Sequence, residues 1–289
     1  MYNFVILTDN TVDMPVEWLN EHEVGYECLP CSMNGVVYDK KNPIDTKLFY
    51  RQMREGAMPT TSQMNPAMAE AMFETYLQEG KDILYLAFSS GLSGTCNSAR
   101  IAAEELKEKY PERQIKIMDS LAASMGEGLL LYYAVKLRDK GKNLDEICDW
   151  LLENRLHLCH VFTVDDLNHL HRGGRVSKAT AVLGTLANIK PMLHVDNEGK
   201  LISIGKVRGR KKSLATLVSM MEERIGRYCD KNETVFVSHG DCEADAEYVA
   251  GLVKEKFGIE NIMIHPISAT IGVHSGPGTV ALFFLGEYR

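Results

Sequence analysis

The sequence predicts an α/β protein in two parts: an N-terminal parallel-sheet α/β domain over residues 1–157, then a C-terminal α+β domain with an antiparallel sheet over residues 158–289. Three observations carry this. Through the first half, short apolar runs rich in β-formers alternate with segments of helical period, the pattern of strand–helix–strand units in a parallel sheet. Past Leu156 the pattern changes: Met192 to Val195 and Leu201 to Val207 flank Asp196-Asn197-Glu198-Gly199, a hairpin signal and so a sign of antiparallel pairing. Finally, 45% hydrophobic and 25% charged residues over 289 positions supply a full core and exclude general disorder.

Each element follows from local signals. Tyr2 to Leu7 is an apolar strand, Thr8-Asp9-Asn10-Thr11 a turn, and Pro15 opens a short helix. Asp9 and Asp13 read as turn and cap residues, since their spacing does not fit an aspartyl phosphotransfer site. Gly25 to Asp39 reads as strand and turn. Asn65 before Pro66 is an N-cap with Pro at the first helical position, and Ala67, Ala71, Met72, Tyr76 and Leu77 form the apolar face that follows. Ile83 to Phe88 is a strand, Ser89 to Thr95 a Gly/Ser loop, and the next helix is apolar at Ile101, Ala102, Leu106 and Tyr110. Ile115 to Met118 is a strand, and a helix begins near Leu121. In the second part, Cys159 to Val164, Thr234 to Ser238, Asn261 to Ile267 and Val280 to Leu285 read as strands. Asp166 to Arg172 is a short helix stopped by Gly173-Gly174, and Lys212 to Tyr228 and Ala244 to Phe257 are longer ones.

Composition narrows function. A net charge of -7 argues against nucleic acid as a partner. No apolar run approaches the ~20 residues of a spanning helix, so no integral membrane segment is expected. The start lacks a secretory pattern, so a cytoplasmic protein is expected. Seven scattered cysteines do not form a disulfide framework. Cys28 and Cys31 have redox-motif spacing but sit in strand and turn, not at a helix N-terminus, so they read as partly buried thiols. His and Cys show no paired zinc spacing, and no metal is expected.

Two hydroxyl-rich loops carry the chemistry. Pro59 to Asn65 and Ser89 to Thr95 each precede a helix, and in a parallel α/β domain such loops gather at the carboxyl ends of strands, where ligands bind. Thr60, Thr61 and Ser62 in one, and Ser93, Gly94 and Thr95 in the other, offer hydroxyls and helix-terminal amides to a small anion. Capping alone is the plainer reading, but seven Ser/Thr residues exceed what two caps need. Gly91-Leu92-Ser93-Gly94-Thr95 also resembles a nucleophile elbow without its final Gly, with His274 downstream and no evident acid, so a serine hydrolase using Ser93 stands as an alternative. No Walker loop and no dinucleotide fingerprint occur. Among the second-half residues, Arg175 follows two glycines and can face an anion; Arg172 can reach one too, or simply favour a helix end. His169 and His171 diverge on a helix. Lys206 to Lys212, with Arg208 and Lys211, is the one dense basic run: either a contact for an acidic partner, as in a regulatory module, or a solvated hairpin edge. Glycines frame His274 and can aim its imidazole at a ligand.

Taken in order, Thr8-Asp9-Asn10-Thr11, Pro59-Thr60-Thr61-Ser62-Gln63, Ser89-Ser90-Gly91-Leu92-Ser93-Gly94-Thr95, Asp119-Ser120, Leu170 to Arg175, Lys190-Pro191 and His274 to Gly278 resemble the DegV family across nearly the whole chain. Met64 and Asn10 depart from the residues usual there and remove no hydroxyl from the two loops. The resemblance implies a non-catalytic, two-domain protein that holds a long-chain fatty acid, for example palmitate, between its domains. It also implies presentation of the carboxylate to a separate ATP-dependent fatty acid kinase subunit. By the motif match, Thr61 and Ser93 would hydrogen-bond the carboxylate, with His274 and Arg175 close by.

Overall fold

A computed structural model describes residues 3–177 and 188–289; Tyr2, expected to open the first strand, lies outside them. The first half runs β1 (Phe4–Asp9), α1 (Val16–Glu21), β2 (Gly25–Glu27), β3 (Cys31–Met33), β4 (Val36–Tyr38), α2 (Thr46–Arg54), β5 (Thr60–Thr61), α3 (Pro66–Gln78), β6 (Asp82–Ala87), α4 (Thr95–Lys109), β7 (Ile115–Asp119), α5 (Met125–Asp139) and α6 (Leu144–Asn154). The second half runs β8 (Leu158–Thr163), α7 (Asn168–Arg172), β9 (Ile189–Val195), β10 (Leu201–Arg208), α8 (Arg210–Ile225), β11 (Val235–His239), α9 (Glu243–Phe257), β12 (Ile262–Pro266), α10 (Ala269–Ser275) and β13 (Val280–Leu285).

Strands β2-β1-β6-β7 form an all-parallel sheet. Its strands are apolar on both faces because helices cover both. Val5, Leu7, Ile83 and Tyr85 pack with α3 and α4, while Phe4, Ile6, Leu84 and Leu86 pack with α5 and its neighbours. The order departs from β1 in both directions, so a crevice opens between the carboxyl ends of β1 and β6, the place where such sheets bind ligands. A small antiparallel sheet, β4-β3-β5, which the sequence reading did not separate, carries Thr60 and Thr61 to that crevice.

The second sheet, β10-β9-β8-β13-β11-β12, is mixed. Four neighbouring pairs are antiparallel, as expected, but β11 and β12 are parallel, because α9 crosses over between them and returns the chain in the same direction. One face packs on α8 and α9; the other meets α5 and the core of the first half. Helix α5 is thus enclosed between the two sheets, and Leu129, Leu130 and Leu131 are all buried.

Three local expectations are corrected. On α3 the buried face is Ala69, Met72, Phe73 and Leu77, with Ala67 and Ala71 exposed, because the large Phe73 ring takes the sheet side. On α4, Ile101 is 42% exposed, and the small residues Ala99, Ala102 and Ala103 make the contact. The helix expected near Leu121 begins at Met125, since Leu121 and Ser124 both hold positive φ and interrupt it. Among the described residues, no helix is long and apolar enough to cross a membrane.

Candidate functional site

A cavity of about 340 Å³ lies at the β1/β6 crevice and under the face of the second sheet. Sites for small organic ligands start at roughly this size. Thr11 follows β1, Phe88, Leu92 and Ser93 follow β6, and Thr61, Ser62 and Gln63 come from β5 and the loop after it. The opposite wall is the sheet face: His160 and Phe162 on β8, Ser238 on β11, Ala281 and Phe283 on β13. These residues share a face because Phe162 pairs with Ala281, His160 with Phe283, and Ser238 with Ala281. Leu170, Val195, Leu201, Ile267 and Ile271 close the remaining sides.

One end of the cavity holds half-buried polar groups. Thr61 Oγ1 and His274 Nε2 are 2.8 Å apart. Burial, and then the Arg175 charge, push the His274 pKa down to about 4, so the imidazole is neutral at physiological pH. Its Nδ1 has no hydrogen-bond partner among the described residues. Gly173 permits this placement: a Cβ there would come within 2.2 Å of that nitrogen. Arg175 donates from Nε to the Leu92 carbonyl at 3.2 Å and from a terminal nitrogen to the Gly173 carbonyl, which pins the guanidinium beside the Ser89–Thr95 loop.

The two hydroxyl loops are stitched together. The Gly94 amide donates to Gln63 Oε1 at 3.1 Å, the Met64 amide to Thr95 Oγ1 at 3.3 Å, and the Thr95 amide to Ser93 Oγ at 3.2 Å. Side chains therefore already engage two amides at the start of α4, contrary to the expectation that these would meet an anion. Hydroxyls and Arg175 are left for that task.

Of the expected residues, Thr61, Ser62, Ser93, Arg175 and His274 line one cavity. Thr60 does not; it is exposed in β5. Gly94 and Thr95 also stand outside the lining and position the loops. Arg208 and Lys211 lie elsewhere, at the end of β10 and the start of α8, and Lys211 sits over the Tyr248 ring. The described geometry does not form the elbow's triad: Ser93 Oγ lies 3.0 Å from Thr95 Oγ1, while His274 is engaged by Thr61 and has no carboxylate partner among the described residues. Cys28 and Cys31 have pKa values pushed up to about 11, mainly by burial, the state of inert thiols.

The sequence reading missed the cavity's interior polar groups. Asp13, a helix cap by expectation, accepts from the Ser268 amide at 2.9 Å and from Ser124 Oγ at 2.5 Å. Ser124 Oγ lies 3.0 Å from Ser238 Oγ. Asp9 does cap the turn after β1, accepting from the Thr11 amide at 2.9 Å, and Tyr85 donates to its other oxygen at 2.8 Å. Thr11 Oγ1 touches both Asp9 and Glu127, and its one hydroxyl proton serves only one of the two carboxyls at a time. Burial holds both carboxyls above their ordinary range. The second-sheet hairpin rests on the site's rim: Ser89 Oγ donates to the Gly199 carbonyl at 2.8 Å. Gly199 has φ +74°, and a Cβ there would meet Ser89 Oγ at 2.1 Å.

Known proteins share this architecture. A DegV domain-containing protein of Clostridium perfringens is 46% identical over 291 aligned positions, covering 100% of this chain and 99% of the relative. A solved DegV family protein from Thermus thermophilus, described by its fatty acid binding, superposes with a TM-score of 0.86 at 28% identity, covering 98% and 99% of the two chains. DegV of Bacillus subtilis, described as a fatty acid binding protein, gives 0.84 at 27% identity, covering 99% and 100%. With the model of the uncharacterised DegV protein family matching residues 3–287, the chain belongs to the DegV family.

Proposed function

We propose that this protein is a non-catalytic carrier that binds one long-chain fatty acid in the cavity and presents its carboxylate to a partner kinase. The observation that carries the reading is the cavity's division: Thr61, Ser93, Arg175 and His274 at a half-exposed end, and an interior walled by Phe88, Phe162, Ile267 and Phe283. The fatty-acid-binding descriptions of the Thermus thermophilus and Bacillus subtilis proteins support the ligand class.

Energetics match this division. A sixteen-carbon chain has about 14 methylenes at ~0.8 kcal/mol each, roughly 11 kcal/mol gross on burial. Each hydroxyl hydrogen bond adds about 1 kcal/mol net. The chain therefore supplies retention. Thr61 and Ser93, with the Arg175 charge beside them, fix which end faces out, and neutral His274 can share a hydrogen bond with the headgroup without adding charge. Exposed Ser62 and Gln63 beside Thr61 leave the carboxylate within reach of a partner's ATP.

Mass spectrometry under native and then denaturing conditions tests the carrier reading. A stoichiometric long-chain fatty acid, released on denaturation, is expected; a clean apo mass with no extractable lipid overturns it. The partner is a kinase subunit by family resemblance, and the exposed Arg208 and Lys211 supply its contact. Reversing both charges should abolish acyl phosphate formation in a reconstituted mixture and leave lipid content unchanged. Unchanged phosphorylation would remove these residues from the interface.

A further inference from the structure

The cavity's interior is not purely apolar, and its hydroxyls are arranged with a direction. Ser124 has one proton, and it points to Asp13 Oδ2. With Asp13 ionised, Ser238 then donates to Ser124 across their 3.0 Å contact. This leaves Ser238 with lone pairs and no free proton, at 0% exposure, on the cavity wall. Nearby stands Ser275, 6% exposed and also on the wall, whose Oγ has no hydrogen-bond partner among the described residues. The two belong to one neighbourhood: Thr279 Oγ1 holds the Ser275 carbonyl at 2.9 Å, and the next residue, Val280, pairs with His239 beside Ser238.

A plain alkyl chain would leave the Ser275 hydroxyl unmet and offer nothing to the Ser238 lone pairs, and an unmet buried hydroxyl opposes binding. A hydroxyl on the chain offers what each lacks, a proton for Ser238 and a lone pair for Ser275. We propose that Ser238 and Ser275, with Ser124 and Asp13 orienting Ser238, form a second ligand subsite that selects long-chain fatty acids bearing a hydroxyl along the chain. This rests on the carrier reading and specifies its ligand class. Asp13 and Ser124 are positioning residues: they set the direction of the Ser238 proton.

The experiment is a competition. The purified protein is exchanged against an equimolar mixture of octadecanoic acid and its monohydroxylated isomers, with the hydroxyl at different positions, and bound species are counted by native mass spectrometry. One isomer is expected to exceed octadecanoic acid by about tenfold, the size of effect a matched buried hydrogen bond gives. Ser238→Ala and, independently, Ser275→Ala should lower that ratio toward unity. Two independent variants and the wild-type ratio keep the test decisive if one variant fails to fold. Octadecanoic acid bound in preference to every isomer overturns this proposal alone, as does a ratio that both variants leave unchanged. Binding of neither acid overturns the carrier reading together with it.

Discussion

The two ends of the cavity are polar for different reasons. At the exposed end, Thr61, Ser93, Arg175 and His274 come from loops, a two-residue strand and a short helix, and each is half-buried. Inside, Ser124 and Ser238 are buried, and their bonds run back to a buried carboxyl. The first kind of polar group is solvated without a ligand and costs little to keep. The second must find partners within the protein, so its geometry is held by the fold. On the proposed function, headgroup recognition is thus adjustable, whereas interior selectivity is built into the packing.

The sharpest way to break this contrast is to fill the interior. Ala281 lines the cavity on β13 with 6% exposure. Ala281→Phe should eliminate co-purified lipid while lowering folding stability by only about 1–3 kcal/mol, the usual effect of overpacking. Extraction followed by mass spectrometry checks the first, urea denaturation the second. Retention of full lipid would show that the chain lies elsewhere.

A smaller effect tests whether the interior is set by Asp13. Burial raises its pKa from 3.8 to about 7, the hydrogen bonds from Ser124 and Ser268 opposing that rise. Between those values the native state binds more protons than the unfolded state, so this carboxyl favours folding at low pH and that contribution falls as pH rises toward 7. The full span is about 4 kcal/mol at most. His239 and His265, both depressed by burial, act oppositely, losing stability as pH falls. Asp13→Asn leaves them in place, so the difference between wild type and variant isolates the carboxyl. Urea denaturation at pH 5 and pH 7.5 should show the variant gaining on wild type at the higher pH; parallel curves would contradict the assignment.

The smallest effect belongs to the mouth. Thr61→Ala or Ser93→Ala should weaken the carboxylate contact by about 1 kcal/mol each while lipid content stays near stoichiometric. The carboxyl resonance of a labelled fatty acid should shift in each variant. A folded variant that carries no lipid would overturn the division between retention and orientation.

The same contrast governs what was legible in the sequence. Runs such as Pro59 to Gln63 and Ser89 to Thr95 interrupt apolar periodicity, so the mouth announced itself, as did His274 and Arg175 through their flanking glycines. The parallel first sheet and most strands followed from alternation of apolar runs and helices, and β13 matched its expected bounds. A single Ser in Val-Phe-Val-Ser-His, by contrast, reads as a tolerated core residue. Its meaning depends on Ser124, 114 positions away, and on Asp13, another 111 from Ser124. Likewise Leu121 and Ser124 look helical locally, and only the tertiary turn that places Ser124 on Asp13 delays the helix.

At Ser89 and Gly199 the loop of one sheet and the hairpin of the other meet through one hydrogen bond, at a spot with no room for a side chain. A methyl group at position 199 would collide with the Ser89 hydroxyl and press on Leu121, parting the hairpin from the loop it rests on.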